Sequence, residues 1–145
     1  MCTTSHASFS IELPMTDGIA PGKHLLIDFW HTRRLTSDGI ETAMRQAAAA
    51  CGATVLHVLL HEFGDSGGLT GVAILAESHI SIHTWPELDY VALDVFVCGA
   101  CDARLALDVL KDAFAPGRAE IVEALRGRPA EAIKDNRLPE GRRAG

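Results

Sequence analysis

No stretch of this chain is apolar for long enough to cross a bilayer, although apolar residues make up 48% of its 145. A helical span needs about 20 in a row. The start, Met1-Cys2-Thr3-Thr4-Ser5-His6, has no basic region followed by a greasy one, so no export signal is expected. Basic residues are scarce: 13 Lys and Arg stand against 19 Asp and Glu, for a net charge of −6. Phosphate binding needs clustered Lys and Arg, so neither nucleic acid nor a membrane is an expected partner. A cationic small molecule suits the balance better. Cysteines are few: Cys2, Cys51, Cys98 and Cys101. Without an export signal they are expected as reduced thiols in a cytoplasm. There is no internal repeat, and the length fits one domain with a core of its own.

Residues 1–22 read as an irregular arm, punctuated by Pro14, Gly18, Pro21 and Gly22. Residues 128–145 read as a charged, solvated tail. Between them the periods alternate. His24 to Trp30 is a half-buried strand, with Leu25, Ile27 and Phe29 opposite His24, Asp28 and Trp30. A helix follows, capped by Asp38 with Glu41 closing a capping box, and Gly52 ends it. Its stripe is Ile40, Ala43, Met44, Ala47, Ala48 and Cys51. Thr54 to Phe63 is a strand with Leu56, Val58 and Leu60 opposite His57, His61 and Phe63, and Gly64 to Gly68 is a loop. Thr70 to Ala76 and Ile80 to Trp85 are strands on either side of Ser78, and Tyr90 to Cys98 is another. Asp102 caps a second helix, which Pro116-Gly117 stops, and Glu120 to Arg126 is a last strand.

These segments give an α+β domain over 23–127, ordered β-α-β-β-β-α-β: a two-layer α/β sandwich with a mainly antiparallel sheet. Two helices can cover only one sheet face. The other carries His24, Asp28, Trp30, His57, His61, Asp94 and Cys98. That is too mixed for a dry core and too aromatic for plain solvent, and a second copy of the chain would cover it.

The densest chemistry lies in Glu77-Ser78-His79-Ile80-Ser81-Ile82-His83-Thr84-Trp85-Pro86-Glu87, with Cys98-Gly99 fifteen residues past His83. This run resembles the self-cleavage site of the short prokaryotic S-adenosylmethionine decarboxylase proenzymes, and the resemblance covers roughly residues 23–127. It implies that the chain cuts itself before Ser78, which becomes a covalent pyruvoyl group. It implies a match for His83 in the histidine that takes a proton during processing, and for Cys98 in the thiol that returns a proton in catalysis. Thr70 falls where the family has a serine that aids processing. The resemblance further implies two-layer protomers that pair sheet to sheet as a homodimer, with active sites near the interface. The implied product is decarboxylated S-adenosylmethionine, an aminopropyl donor for spermidine.

The chemistry explains why such residues are needed. Decarboxylation of an amino acid leaves a carbanion that needs an electron sink, and a carbonyl that condenses with the substrate amine provides one. No side chain is a ketone, so the chain makes one from its backbone. The Ser78 hydroxyl attacks the Glu77 carbonyl to give an ester. Loss of the Ser78 α-proton expels the ester as a carboxylate, and the dehydroalanine left behind is hydrolysed to pyruvoyl. Only a strained or well-gripped peptide will react. Imidazole suits the proton transfers because it titrates near neutrality. Ser78 and His83 have opposite parity, so their meeting requires a kink at Ser78-His79 or approach from another strand. Phe63 and Trp85 offer faces for a sulfonium and an adenine, and Glu87 an anion for the sulfonium or the ribose hydroxyls.

Three other readings use parts of the same sequence. Cys98-Gly99-Ala100-Cys101 follows a strand and precedes a helix, as a thioredoxin-type motif does, but too little chain follows for that fold. His79, His83, Cys98 and Cys101 together would make a non-enzymatic zinc-binding module. The pyruvoyl machinery would also serve arginine or ornithine as substrate.

Overall fold

The structure, a computed structural model, describes residues 22–127. The arm and tail assigned to 1–22 and 128–145 lie outside the described residues, apart from Gly22, which opens the first strand. The elements are β1 (Gly22–Trp30), α1 (Ser37–Ala50), β2 (Val55–Glu62), β3 (Leu69–Leu75), β4 (Ser78–Trp85), β5 (Tyr90–Val97), α2 (Ala103–Phe114) and β6 (Arg118–Arg126). Four strands separate the helices, one more than the order β-α-β-β-β-α-β counts. The segments on either side of Ser78 are the two arms of one hairpin.

All pairings are antiparallel, in one six-stranded sheet of order β2-β3-β4-β5-β1-β6. Alternation decides which side of it is dry. Leu25, Ile27 and Phe29 of β1, Ile80 and Ile82 of β4, and Val91, Leu93, Val95 and Val97 of β5 are buried beneath the helices. They meet Ile40, Met44, Ala47 and Ala48 of α1 and Ala106, Leu110 and Phe114 of α2. The small residues of the α1 stripe let the two helices pack against each other as well as against the sheet.

Three local expectations are corrected. The cap of α1 is Thr36, whose side chain accepts from Gly39 N–H at 3.2 Å. Asp38 lies inside the first turn, where its charge favours the helix N-terminus, and Glu41 pairs with Arg45 one turn on instead of reaching back. In β2 the register slips between Val55 and His57, so the extra residue Leu56 points outward and is 63% exposed while Val55 packs on the core. Strand β5 ends at Val97, one residue before Cys98. The Asp102 cap on α2 is as expected, accepting from Arg104 N–H at 3.0 Å.

The second face of the sheet has no layer over it among the described residues. Leu26, Leu59 and Ile74 are exposed there beside the polar and aromatic residues expected. Two networks order this face. Asp94 accepts from Ser81 at 2.9 Å and pairs with His24 at 2.9 Å. Tyr90 donates to Asp28 and stacks between Trp30 and Trp85, with ring centroids 4.2 and 5.2 Å away. Burial first, then the Asp28 hydrogen bond and charge, push the Tyr90 phenol up to about 12, so it remains a donor.

Candidate active site

Leu75 and Ser78 are cross-strand partners, so Ala76 and Glu77 alone form the tip of the β3–β4 hairpin. A tip this tight has to bend its backbone somewhere. Neither tip residue is a glycine, and the strain appears at Ser78, whose φ is 136°. That lies in the region that favours glycine, where other residues store about 1–3 kcal/mol. On its other side Ser78 pairs with Val97, the last residue of β5, which brings Cys98 alongside. The Cys98 N–H donates to the Glu77 carbonyl oxygen at 3.2 Å. The Glu77 carboxylate in turn accepts from Thr54 N–H at 2.8 Å. The peptide between Glu77 and Ser78 is therefore gripped, polarised and strained together. An attack on its carbonyl carbon would place negative charge on an oxygen that already has an amide donor.

A second group of side chains gathers at the far end of β4. Thr70 and His83 are cross-strand partners, and Thr70 Oγ1 lies 2.8 Å from His83 Nδ1. This bond orients the imidazole and leaves Nε2 pointing away from it. Phe63, Thr70, His83, Trp85 and Glu87 line one open groove of ≈ 500 Å³. The His83 and Trp85 rings lie 6.1 Å apart there. A smaller cavity of ≈ 220 Å³, at the start of α1, contains none of Phe63, Thr70, Glu77, Ser78, His83, Trp85, Glu87 and Cys98.

The structure thus gathers the expected residues into two groups. Glu77, Ser78 and Cys98 form one; Phe63, Thr70, His83, Trp85 and Glu87 form the other. Five residue steps of β4 separate Ser78 from His83, on the order of 17 Å of strand. Ser78 shares a row with buried Leu75 and Val97, whereas His83 shares one with Thr70 on the uncovered face. The kink at Ser78 does not carry the serine to His83 within one chain. The zinc set is not assembled either. His79 and His83 stand four residues apart on one strand, about 14 Å, far beyond the reach of a single ion. Among the described residues no group of three or more His, Cys, Asp or Glu could hold a metal.

Two contributors escape a sequence reading. Thr54 acts through its backbone, which leaves no side-chain signal. Tyr90 faces Trp85 only because the β4–β5 register puts them opposite each other.

A helix-backed antiparallel sheet with a strained Glu-Ser peptide at a hairpin end, a cysteine whose amide holds it and an aromatic-lined groove defines an α+β protein built around a serine at the start of a strand. The chain belongs to the S-adenosylmethionine decarboxylase family, whose model matches residues 23–127. It is 40% identical over 114 residues to an S-adenosylmethionine decarboxylase proenzyme from Methanococcus aeolicus, covering 76% of this chain and 97% of that one. A second proenzyme of that name, from Thermomicrobium roseum, is 41% identical over 108 residues, covering 73% and 93%. The crystal structure of the adenosylmethionine decarboxylase from Aquifex aeolicus superposes with a TM-score of 0.67 at 31% identity, covering 79% of this chain and 97% of that one. No helix among the described residues is long and apolar enough to cross a membrane.

Proposed function

We propose that this chain cuts its own backbone between Glu77 and Ser78, then uses the pyruvoyl group so formed to decarboxylate S-adenosylmethionine. The product would be an aminopropyl donor for spermidine, made in the cytoplasm. The observation that carries the reading is the Glu77–Ser78 peptide itself, with its carbonyl on the Cys98 amide and φ of 136° on its serine. Ser78 is the residue that would hold the pyruvoyl, and its strained place just after a two-residue tip fits a group formed by breaking the backbone there. The pyruvoyl carbonyl supplies the electron sink for loss of carbon dioxide.

This chain's residues do the rest. The Ser78 hydroxyl gives its proton to a base as it bonds to the Glu77 carbonyl carbon. The Glu77–Ser78 C–N bond breaks as the ester forms. Removal of the Ser78 α-proton then breaks the ester C–O bond, and Glu77 leaves as a carboxylate. Water adds to the resulting enamine, and its nitrogen leaves as ammonia. His83 is the base we assign, with Thr70 orienting its ring through Nδ1. Because His83 is distant within one chain, we assign the His83 of a second copy, docked sheet to sheet on the uncovered face. The exposed Leu26, Leu59 and Ile74 there support such docking. Two-fold symmetry would set the serine group of each copy against the groove of the other, giving two complete sites.

In the groove, Phe63 and Trp85 present faces to the sulfonium and the adenine, and Glu87 an anion to the ribose or the sulfonium. Arginine and ornithine are cations too, so it is the purine, with two aromatic faces to meet it, that favours S-adenosylmethionine. Carbon dioxide release from the three labelled compounds, assayed in parallel, tests this. Release from S-adenosylmethionine is expected; release from an amino acid alone would keep the pyruvoyl chemistry and overturn the substrate. Trp85→Ala should weaken S-adenosylmethionine use by about tenfold or more while leaving backbone cleavage nearly intact. Equal effects on both would give the indole, braced on Tyr90, a purely structural role.

Cys98 is assigned the proton that replaces the departing carboxylate, held on Sγ. Its amide, not its thiol, holds the Glu77 carbonyl. Cys98→Ala should therefore still cut itself but lose turnover by roughly 100-fold or more. Denaturing mass spectrometry and carbon dioxide release read the two steps separately. Full turnover would hand the proton to another group.

A further inference from the structure

Thr54 holds the hairpin tip at two points. Its carbonyl accepts from Ala76 N–H at 2.9 Å, and its N–H donates to the Glu77 carboxylate at 2.8 Å. The second bond is not part of the sheet ladder, since β2 begins only at Val55. The tip does not need a carboxylate to turn; Gly and Asn, which carry none, favour tight hairpins. The strain next door suggests what the carboxylate does. The peptide plane between residues 77 and 78 can turn by changing ψ of Glu77 and φ of Ser78 together. Such a turn would release the φ of 136° and swing the carbonyl off the Cys98 amide. The Cys98 N–H opposes it at the carbonyl, and the Thr54 anchor opposes it by fixing residue 77, from which the plane must turn.

We propose that the Glu77 side chain is a positioning residue for backbone cleavage: anchored on Thr54 N–H, it locks the 77–78 peptide plane with its carbonyl on Cys98 N–H and its serine strained. The proposal rests on the self-cleavage reading above. It concerns the Glu77 carboxylate, which takes no part in bond making. A charged acceptor on a backbone N–H is among the stronger hydrogen bonds available, so its loss should be felt in the rate.

The test is a time course of cleavage in freshly synthesised full-length chain, read as intact mass under denaturing conditions. Wild type, Glu77→Ala and Glu77→Gln are compared. Glu77→Ala should cut at least about tenfold more slowly. Glu77→Gln keeps an oxygen that accepts from Thr54 N–H and should recover most of the rate. Rescue by Gln separates anchoring from charge. Melting of the same substitutions in an uncuttable Ser78→Ala background separates anchoring from general stability, and the midpoints should lie close together. A normal rate in Glu77→Ala, beside a wild type that cuts, overturns this proposal alone. So does a Glu77→Gln chain as slow as Glu77→Ala, or a slowing fully matched by lost stability. A wild-type chain that never cuts overturns the self-cleavage reading, and this proposal with it.

Discussion

Ser78→Ala should leave the chain whole and without decarboxylase activity. Alanine has no hydroxyl to attack the Glu77 carbonyl, so neither the ester nor the ketone derived from it can form. Without that carbonyl the carbanion has no sink, and the effect on turnover is loss, not slowing. The substitution removes one oxygen from a half-buried position, so the fold should be retained. Denaturing mass spectrometry should show wild type as two pieces, residues 1–77 and 78–145, the second with a blocked N-terminus. The variant should run as one. A wild-type protein that is active yet uncut, with an ordinary amino terminus on every chain, would defeat the mechanism.

His83→Ala should slow cutting by about 100-fold or more, the scale on which a positioned base contributes. His83 is exposed and bonded through Nδ1 to Thr70, so its removal costs little packing. The more searching form of the test mixes the two variants. If the base comes from the partner, a dimer of one Ser78→Ala chain and one His83→Ala chain pairs an intact serine with an intact imidazole. Co-expression should then cut part of the His83→Ala chains, and the Ser78→Ala chains not at all. Uncut His83→Ala chains in a mixed dimer, beside a wild type that cuts, would place the base within the chain.

Much of this was legible in the sequence because period and burial are tied. Leu25, Ile27 and Phe29 alternate with His24, Asp28 and Trp30, and the sheet's two faces follow. The same parity separates Ser78 from His83 in the sequence, and the structure keeps them apart. Other features depend on relations that no local pattern records. The Leu56 bulge is a property of how β2 meets β3, and a run of alternating residues cannot announce a slip in register. The α1 cap passed from Asp38 to Thr36 because several polar residues precede the stripe, and each satisfies the same capping rule. The convergence of Phe63, Thr70, His83, Trp85 and Glu87 needed the β3–β4 ladder to bring residues 70 and 83 side by side. The hold of Thr54 on Glu77 is invisible in principle, since any residue but proline offers the same N–H.

If the chain is cut between Glu77 and Ser78 as proposed, the sheet order interleaves the two pieces. Strands β1, β2 and β3 belong to the piece ending at Glu77, and β4, β5 and β6 to the piece starting at Ser78. In the order β2-β3-β4-β5-β1-β6 they alternate, so β1 of the first piece lies wedged between β5 and β6 of the second. The helices straddle the same divide, with α1 from one piece packed on α2 from the other. The two pieces are dovetailed, and neither can leave without tearing several ladders at once. Before the cut, folding is the affair of one molecule. After it, a protomer that unfolds would be two separate molecules, which would have to find each other again by collision and re-thread β1 between β5 and β6. The proposed cut would leave the chain only one chance to fold as a single thread.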